Sequence, residues 1–163
     1  IQGKPPVSGP YIAAYYVSPD HAPDGRGVIR EVADRLGLPV VSVGSDRKVL
    51  GADESYVQAG PAEWVNALRH ASFIITDSFH GTIFALKFRK PFVVWPGYRT
   101  GRLTHLLEAC GIPERLLGQA GDVDVATLTQ RAIDFEAIEA RLALWVDASN
   151  AYLRDVFAVR TAS

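Results

Sequence analysis

The sequence predicts an α/β lobe built on a parallel β-sheet with helices on both faces. Short runs rich in β-branched and aromatic residues recur along the chain: "YIAAYYV", "PVVSV", "SFIIT" and "FVVW". They are apolar nearly throughout rather than alternating, as strands covered on both faces are. Longer stretches with helical periodicity lie between them, and that alternation implies parallel strands joined by helical crossovers.

The first strand is expected at residues 11–17, followed by a Gly-, Pro- and Asp-rich loop over 18–27. A helix follows over 28–36, with Val28, Val32 and Leu36 on one face and Gly37 as its stop. Residues 39–43 form the next strand, and 44–59 are polar with no clear signal. Gly60-Pro61 opens a helix with proline in its first turn and Trp64, Val65 and Leu68 as its buried stripe. It leads into a strand at 72–76. The run at 81–88 is too long and too evenly apolar for a hairpin partner. Asp77 and Ser78 stand before it as N-cap residues, so it is expected to be a helix, broken by Lys90-Pro91. Residues 92–95 make a further buried strand, closed by Pro96-Gly97. A helix over 102–109 turns Leu103, Leu106 and Leu107 inward and ends at Gly111-Ile112-Pro113. A long helix over 134–159 closes the chain, with Phe135, Ile138, Leu142, Trp145, Ser149, Tyr152 and Val156 at three- and four-residue spacing and Asp134 as its cap.

With 163 residues, 48% of them hydrophobic, the chain can bury one ordinary core, and a single Rossmann-like lobe spanning 1–163 is expected. Lys and Arg number 17 against 18 Asp and Glu, so there is no nucleic-acid footprint. No apolar run reaches 18 residues and the polar, Pro-rich opening is no signal peptide, so no membrane-spanning segment and a cytoplasmic location are expected. The single cysteine, Cys110, excludes an intrachain disulfide and is expected to be a buried structural thiol. No Cys and His are spaced for zinc, so no metal is expected. The absence of methionine suggests a piece of a longer protein.

The chemistry-bearing stretch is "TDSFHGTIFALKFRKPFVVW", residues 76–95, which has the pattern strand, tight loop, helix, strand. In such a unit the loop lies at the carboxyl edge of the sheet, where the following helix points its unsatisfied N–H groups and positive dipole end. His80 is therefore expected in an anion-binding mouth, with the N–H groups of Gly81 and Thr82 beside it and glycine permitting close approach of an anion. Arg99 and Arg102 follow the next strand and would emerge at the same edge, where guanidinium forks fit carboxylate or phosphate. His105 lies one turn after Arg102. Each has a purely structural alternative. His80 and Ser78 would cap the helix, Asp77 would pin its loop through backbone N–H groups, Arg102 would be a solvated first-turn residue, and His105 would pack. His21, His70 and Lys87 are assigned to surface or packing, and the Trp and Tyr residues to core and interface.

The run "AEWVNALRHASFIITDSFHGTIFALKFRKPFVVW" followed by "GRLTHLLEACGI" resembles the carboxyl-terminal lobe of the polysaccharide pyruvyl transferase family. That family's pattern is an Ala-rich helix, a strand ending in Thr-Asp, then Ser-Phe-His-Gly, an apolar helix and Lys-Pro-Phe. The likeness is close over about 60–117 and weaker at "GLPVV", residues 37–41. It implies a two-lobed enzyme similar to the GT-B glycosyltransferases, transferring the enolpyruvyl group of phosphoenolpyruvate to a sugar as a ketal in exopolysaccharide, capsule or cell-wall glycan synthesis. Such a reaction needs cations and oriented N–H groups for phosphate and carboxylate, and an acid to protonate the methylene carbon. The resemblance implies His80 as the catalytic group, proton donor or anion ligand, with Ser78, Gly81, Thr82, Arg99 and Arg102 binding substrate and Asp77 and His105 in lesser roles. Phosphoenolpyruvate is the donor substrate and no cofactor is implied. The acceptor is a sugar or glycan, often lipid-linked, held largely by an amino-terminal lobe expected before Ile1, so the fragment alone should be inactive. The alternatives are a GT-B glycosyltransferase lobe that binds a nucleotide-sugar and a binding lobe without chemistry.

Overall fold

The structure, a computed structural model, describes residues 7–17, 25–44, 48–56, 59–96, 100–118 and 124–161. Arg99, His21 and most of the loop expected at 18–27 fall outside them. The strands are β1 Ile12–Tyr15, β2 Val40–Val43, β3 Glu54–Tyr56, β4 Phe73–Thr76 and β5 Phe92–Val94. The helices are α1 Gly25–Leu36, α2 Pro61–His70, α3 Phe79–Lys87, α4 Gly101–Cys110, α5 Val125–Gln130 and α6 Phe135–Thr161.

All strand pairs are parallel, in the spatial order β3-β2-β1-β4-β5. The chain winds outward from β1 through β2 to β3, and α2 then carries it back to place β4 on the other side of β1. The order therefore reverses between β1 and β4, where a crevice opens at the carboxyl edge of such a sheet. There Tyr15 is paired with Thr76.

The pleat sorts the strand residues into two cores, because successive side chains point to opposite faces. Ala13, Val41, Ile74 and Phe92 pack with Leu68 of α2, Ala85 of α3, Leu103 of α4 and Ile138 of α6. Ile12, Ala14, Val40, Ile75 and Val93 pack on the other side with Ile29 and Val32 of α1 and Leu128 of α5. The expected architecture, a parallel sheet with helices on both faces, is the one observed. Cys110 is buried, and burial raises its thiol pKa.

Among the described residues, β3 and α5 lack a sequence signal. β3 lies in the unassigned stretch 44–59 and is a three-residue edge strand with Glu54 and Ser55 exposed, so it carries no apolar pattern. It is located by Asp53: its N–H donates to the Val40 carbonyl at 2.8 Å, and its carboxylate accepts from the Val40 N–H at 2.8 Å and from Arg30 at 2.9 Å. These bonds, the backbone one foremost, hold the Asp53 pKa below the usual carboxylate range. The second element, α5, has six residues, too few for a periodic stripe. It is tied down by Arg115, which is 1% exposed and donates to the carbonyls of Phe92 and Leu128 at 3.2 and 2.8 Å and of Arg131 at 2.6 Å. α1 starts at Gly25 rather than Val28, and α3 at Phe79 rather than Gly81.

α6 is capped by Asp134, whose carboxylate accepts from the Ala137 N–H at 3.0 Å. Its apolar stripe packs on the lobe at Phe135, Ile138 and Leu142. Further along, Trp145, Tyr152, Leu153, Val156 and Phe157 are exposed. No helix among the described residues is long and apolar enough to cross a membrane.

α3 lies close above the junction of β1 and β4, and Gly81 permits this. A Cβ there would overlap Thr76 Oγ1 and come within 3.1 Å of Tyr15 Cδ1. Gly81→Ala should therefore lower stability by about 1 to 3 kcal/mol without any ligand, as overpacking does, and an unchanged denaturant midpoint would contradict the packing. The Asp53 clamp makes a pH-dependent prediction. A carboxylate with a lowered folded pKa stabilises above its unfolded pKa, and the contribution is lost as pH falls through the folded value. Asp53→Asn should lower neutral-pH stability by about 1 kcal/mol, discounting a charged hydrogen bond for partial solvent exposure. The gap to the wild type should close as the pH falls below about 4, whereas a gap constant from neutral to acid pH would contradict the assignment.

Candidate active site

The site lies at the carboxyl edge where the strand order reverses, and it starts from Thr76, the last residue of β4. The Thr76 hydroxyl donates to the Tyr15 carbonyl at 2.6 Å and accepts from the Ser78 N–H at 3.0 Å. Next to it, the Asp77 carboxylate accepts from the Val17 N–H at 2.7 Å and so ties the loop after β1 to the loop after β4. Ser78 is the N-cap of α3: its hydroxyl accepts from Gly81 N–H at 3.4 Å and its carbonyl accepts from both the N–H and the hydroxyl of Thr82 at 3.0 Å.

These bonds change which N–H groups can meet a ligand. The expectation placed those of Gly81 and Thr82 at the mouth, but both are buried and both donate to Ser78. The physical reason is the earlier helix start, which puts Gly81 and Thr82 at the third and fourth helical positions. The cap leaves over the first two N–H groups of α3, those of Phe79 and His80.

His80 is exposed, and its ring meets Phe79 edge-to-face at 5.9 Å between centroids. The Arg102 guanidinium carbon lies 5.2 Å from the same Phe79 ring centroid. Phe79 thus brings an imidazole from α3 and a guanidinium from α4 together around one aromatic ring. His80 also lines an open concavity of about 320 Å³ with Tyr15, Gly44, Ala59, Pro61, Trp64 and Phe84. Arg102 borders Phe79 and is not part of that lining. His105 is directed elsewhere: its ring packs on Trp145 of α6 at 5.2 Å.

Tyr15 and Trp64, expected from the sequence in core and interface, line the concavity together with Phe84. Tyr15 contacts Trp64 edge-on at 4.9 Å, and Trp64 contacts Phe84 edge-on at 5.0 Å. Burial raises the Tyr15 phenol pKa, a hydrogen bond with Ser78 opposes this, and the Asp77 charge raises it further. Position in the fold was the available signal. Tyr15 ends the strand on one side of the reversal, and helix first turns in a parallel α/β unit face the carboxyl edge. Trp64, His80 and Arg102 all lie in or next to such first turns. Among the described residues no three His, Cys, Asp or Glu side chains gather to hold a metal. The groups present suit a small anion at the end of α3 and one proton exchanged at the imidazole.

No curated protein matches the chain. Among solved structures it is similar to the bacterial iron-containing dodecameric glycosyltransferase TibC from enterotoxigenic E. coli H10407, with a TM-score of 0.43 and 21% identity over 58% of this chain. It is also similar to the dodecameric iron-containing heptosyltransferase TibC in complex with ADP-D-beta-D-heptose, with a TM-score of 0.41 and 24% identity over 54% of this chain. It spans only 29% and 27% of those chains. The family model that matches is that of polysaccharide pyruvyl transferase. The Thr-Asp strand end and the Ser78-Phe79-His80-Gly81 run that build the site lie inside the matched segment, and over residues 17–95 this chain carries the pattern of the polysaccharide pyruvyl transferase family.

Proposed function

We propose that this lobe binds phosphoenolpyruvate and transfers its enolpyruvyl group as a ketal to two hydroxyls of a glycan. The observation that carries the reading is the position of His80: exposed in the first turn of α3, at the strand-order reversal, and inside the family-matched segment. Support comes from Arg102 across the Phe79 ring and from the two N–H groups left at the positive end of α3.

In this reading the donor's phosphate and carboxylate sit between Arg102 and the N–H groups of Phe79 and His80. The His80 imidazolium gives a proton to the methylene carbon, which becomes a methyl group, and C2 becomes an oxocarbenium. One sugar hydroxyl adds at C2 and loses its proton. The second hydroxyl then bonds to C2 as the C–O bond to phosphate breaks. Of the two hydroxyl protons, one restores the imidazolium and the other leaves with inorganic phosphate. Ser78, Gly81, Thr82 and Asp77 act on the mouth's shape rather than on the donor. The acceptor belongs to exopolysaccharide, capsule or cell-wall glycan, lipid-linked or free, and a second lobe of the full-length protein orients its hydroxyls.

Calorimetry on the 163-residue chain should show weak, saturable binding of phosphoenolpyruvate and none of uridine or guanosine diphosphate; the reverse preference would favour a nucleotide-sugar donor. In the full-length enzyme His80→Ala should lower kcat on the order of a hundredfold or more. Arg102→Ala should chiefly raise KM for phosphoenolpyruvate, by about tenfold, because its contact is already made in the ground state. Turnover near wild type in the His80 variant would reduce the imidazole to a loop residue.

A further inference from the structure

A second concavity, of about 410 Å³, lies between α2 and α3 and is lined by Val65, Asn66, Arg69, Phe84, Lys87 and Phe88. Its volume is that of a small-molecule site, and its composition follows the same rule: an apolar and aromatic lining with a few polar groups. Phe84 and Phe88 lie 5.6 Å apart between centroids. Phe88 is fixed by the turn that ends α3, where Arg89 N–H donates to Leu86 at 3.0 Å and Lys90 N–H to Ala85 at 2.9 Å, with Arg89 in the left-handed region at φ 52°.

Two cations border this aromatic surface, one from each helix. The Arg69 guanidinium carbon lies 5.6 Å from the Phe88 centroid, and Lys87 is exposed on α3. Among the described residues neither has a carboxylate partner. The adjacent Arg89 differs: it is held by Glu139 through two bonds of 3.0 and 2.7 Å. Arg69 and Lys87 occupy the last turns of α2 and α3, where a cation complements the helix dipole. That accounts for the sign of the charges but not for the aromatic surface left open between them.

We infer that the α2–α3 groove is a second binding site, one that takes an amphiphilic phosphate monoester. The hydrocarbon part lies on Val65, Phe84 and Phe88, and the doubly charged phosphate lies between Arg69 and Lys87, one positive charge from each helix. Phe84 also lines the His80 concavity, so an occupant of the groove touches a wall shared with the candidate active site. The groove's chemistry is independent of the reaction proposed for His80.

The test is an amide-resonance titration of the 163-residue chain with hexyl phosphate, run beside 1-hexanol and inorganic phosphate as separate arms. The resonances of Val65, Asn66, Phe84 and Phe88 should shift saturably with hexyl phosphate, at a Kd at least tenfold below that of either other arm. The double variant Arg69→Gln with Lys87→Gln should raise that Kd at least tenfold while the resonances of the buried strands β1 and β4 stay in place, and each single variant should raise it about threefold, for charge-assisted contacts that share one anion. Equal affinity for 1-hexanol would leave only an apolar surface, and equal affinity for inorganic phosphate would leave only a charge site. Either result, or an unchanged Kd in the variants, would overturn the assignment.

Discussion

The Thr76 hydroxyl donates to the Tyr15 carbonyl and accepts from the Ser78 N–H at the one junction where the chain leaves neighbouring strands in opposite directions. At such a junction the strand ends are not covered by a common crossover, and their backbone groups need partners of another kind. Thr76 is fully buried, so unpaired groups around it would bear a desolvation cost of about 1 to 3 kcal/mol each. A single side chain meets this demand for β1 and for the start of α3 together. The Asp77 carboxylate extends the tie to the loop after β1 through the Val17 N–H.

The rest of the mouth follows from that hydroxyl. Because it occupies the space above the β1–β4 junction, α3 can approach only with glycine at position 81. Because Ser78 is held by Thr76, its hydroxyl and carbonyl are placed to take the N–H groups of Gly81 and Thr82. The run Ser78-Phe79-His80-Gly81 thus divides by direction: Ser78 and Gly81 face inward and build the turn, while His80 faces solvent and Phe79 carries the Arg102 guanidinium. A four-residue motif of this type carries a fold requirement and a chemical one at once.

The elements that bury a full apolar run were legible in the sequence, since β1, β2, β4 and β5 and the inward face of α4 depend on composition and period alone. The stripes expected on α2 and α6 hold only in part: Trp64 and Val65 are half-buried, and beyond Leu142 the α6 period continues through Trp145, Tyr152 and Val156, which are exposed, because a period does not say where the packed surface ends. β3 was not, because an edge strand of three residues is fixed by a carboxylate clamp from Asp53 rather than by apolar content. α5 was not, because its position depends on hydrogen bonds from the buried Arg115 guanidinium. At the candidate site the location of His80 was legible from strand, loop and helix order. The roles of Gly81 and Thr82 hinge on a helix boundary two residues away, and boundaries are set by cap geometry that the pattern does not encode. His105 pairs with Trp145 from another helix, a tertiary contact with no local trace.

The central claim is that the donor meets the lobe at the first turn of α3, through the N–H groups that the Ser78 cap leaves over. Amide-resonance titration of the chain with phosphoenolpyruvate tests it directly, since each of the four N–H groups of residues 79–82 reports separately. The account predicts saturable shifts largest at Phe79 and His80, with Gly81 and Thr82 moving little because their protons stay on Ser78. Shifts confined to another face of the lobe, or largest at Gly81 and Thr82, would contradict it.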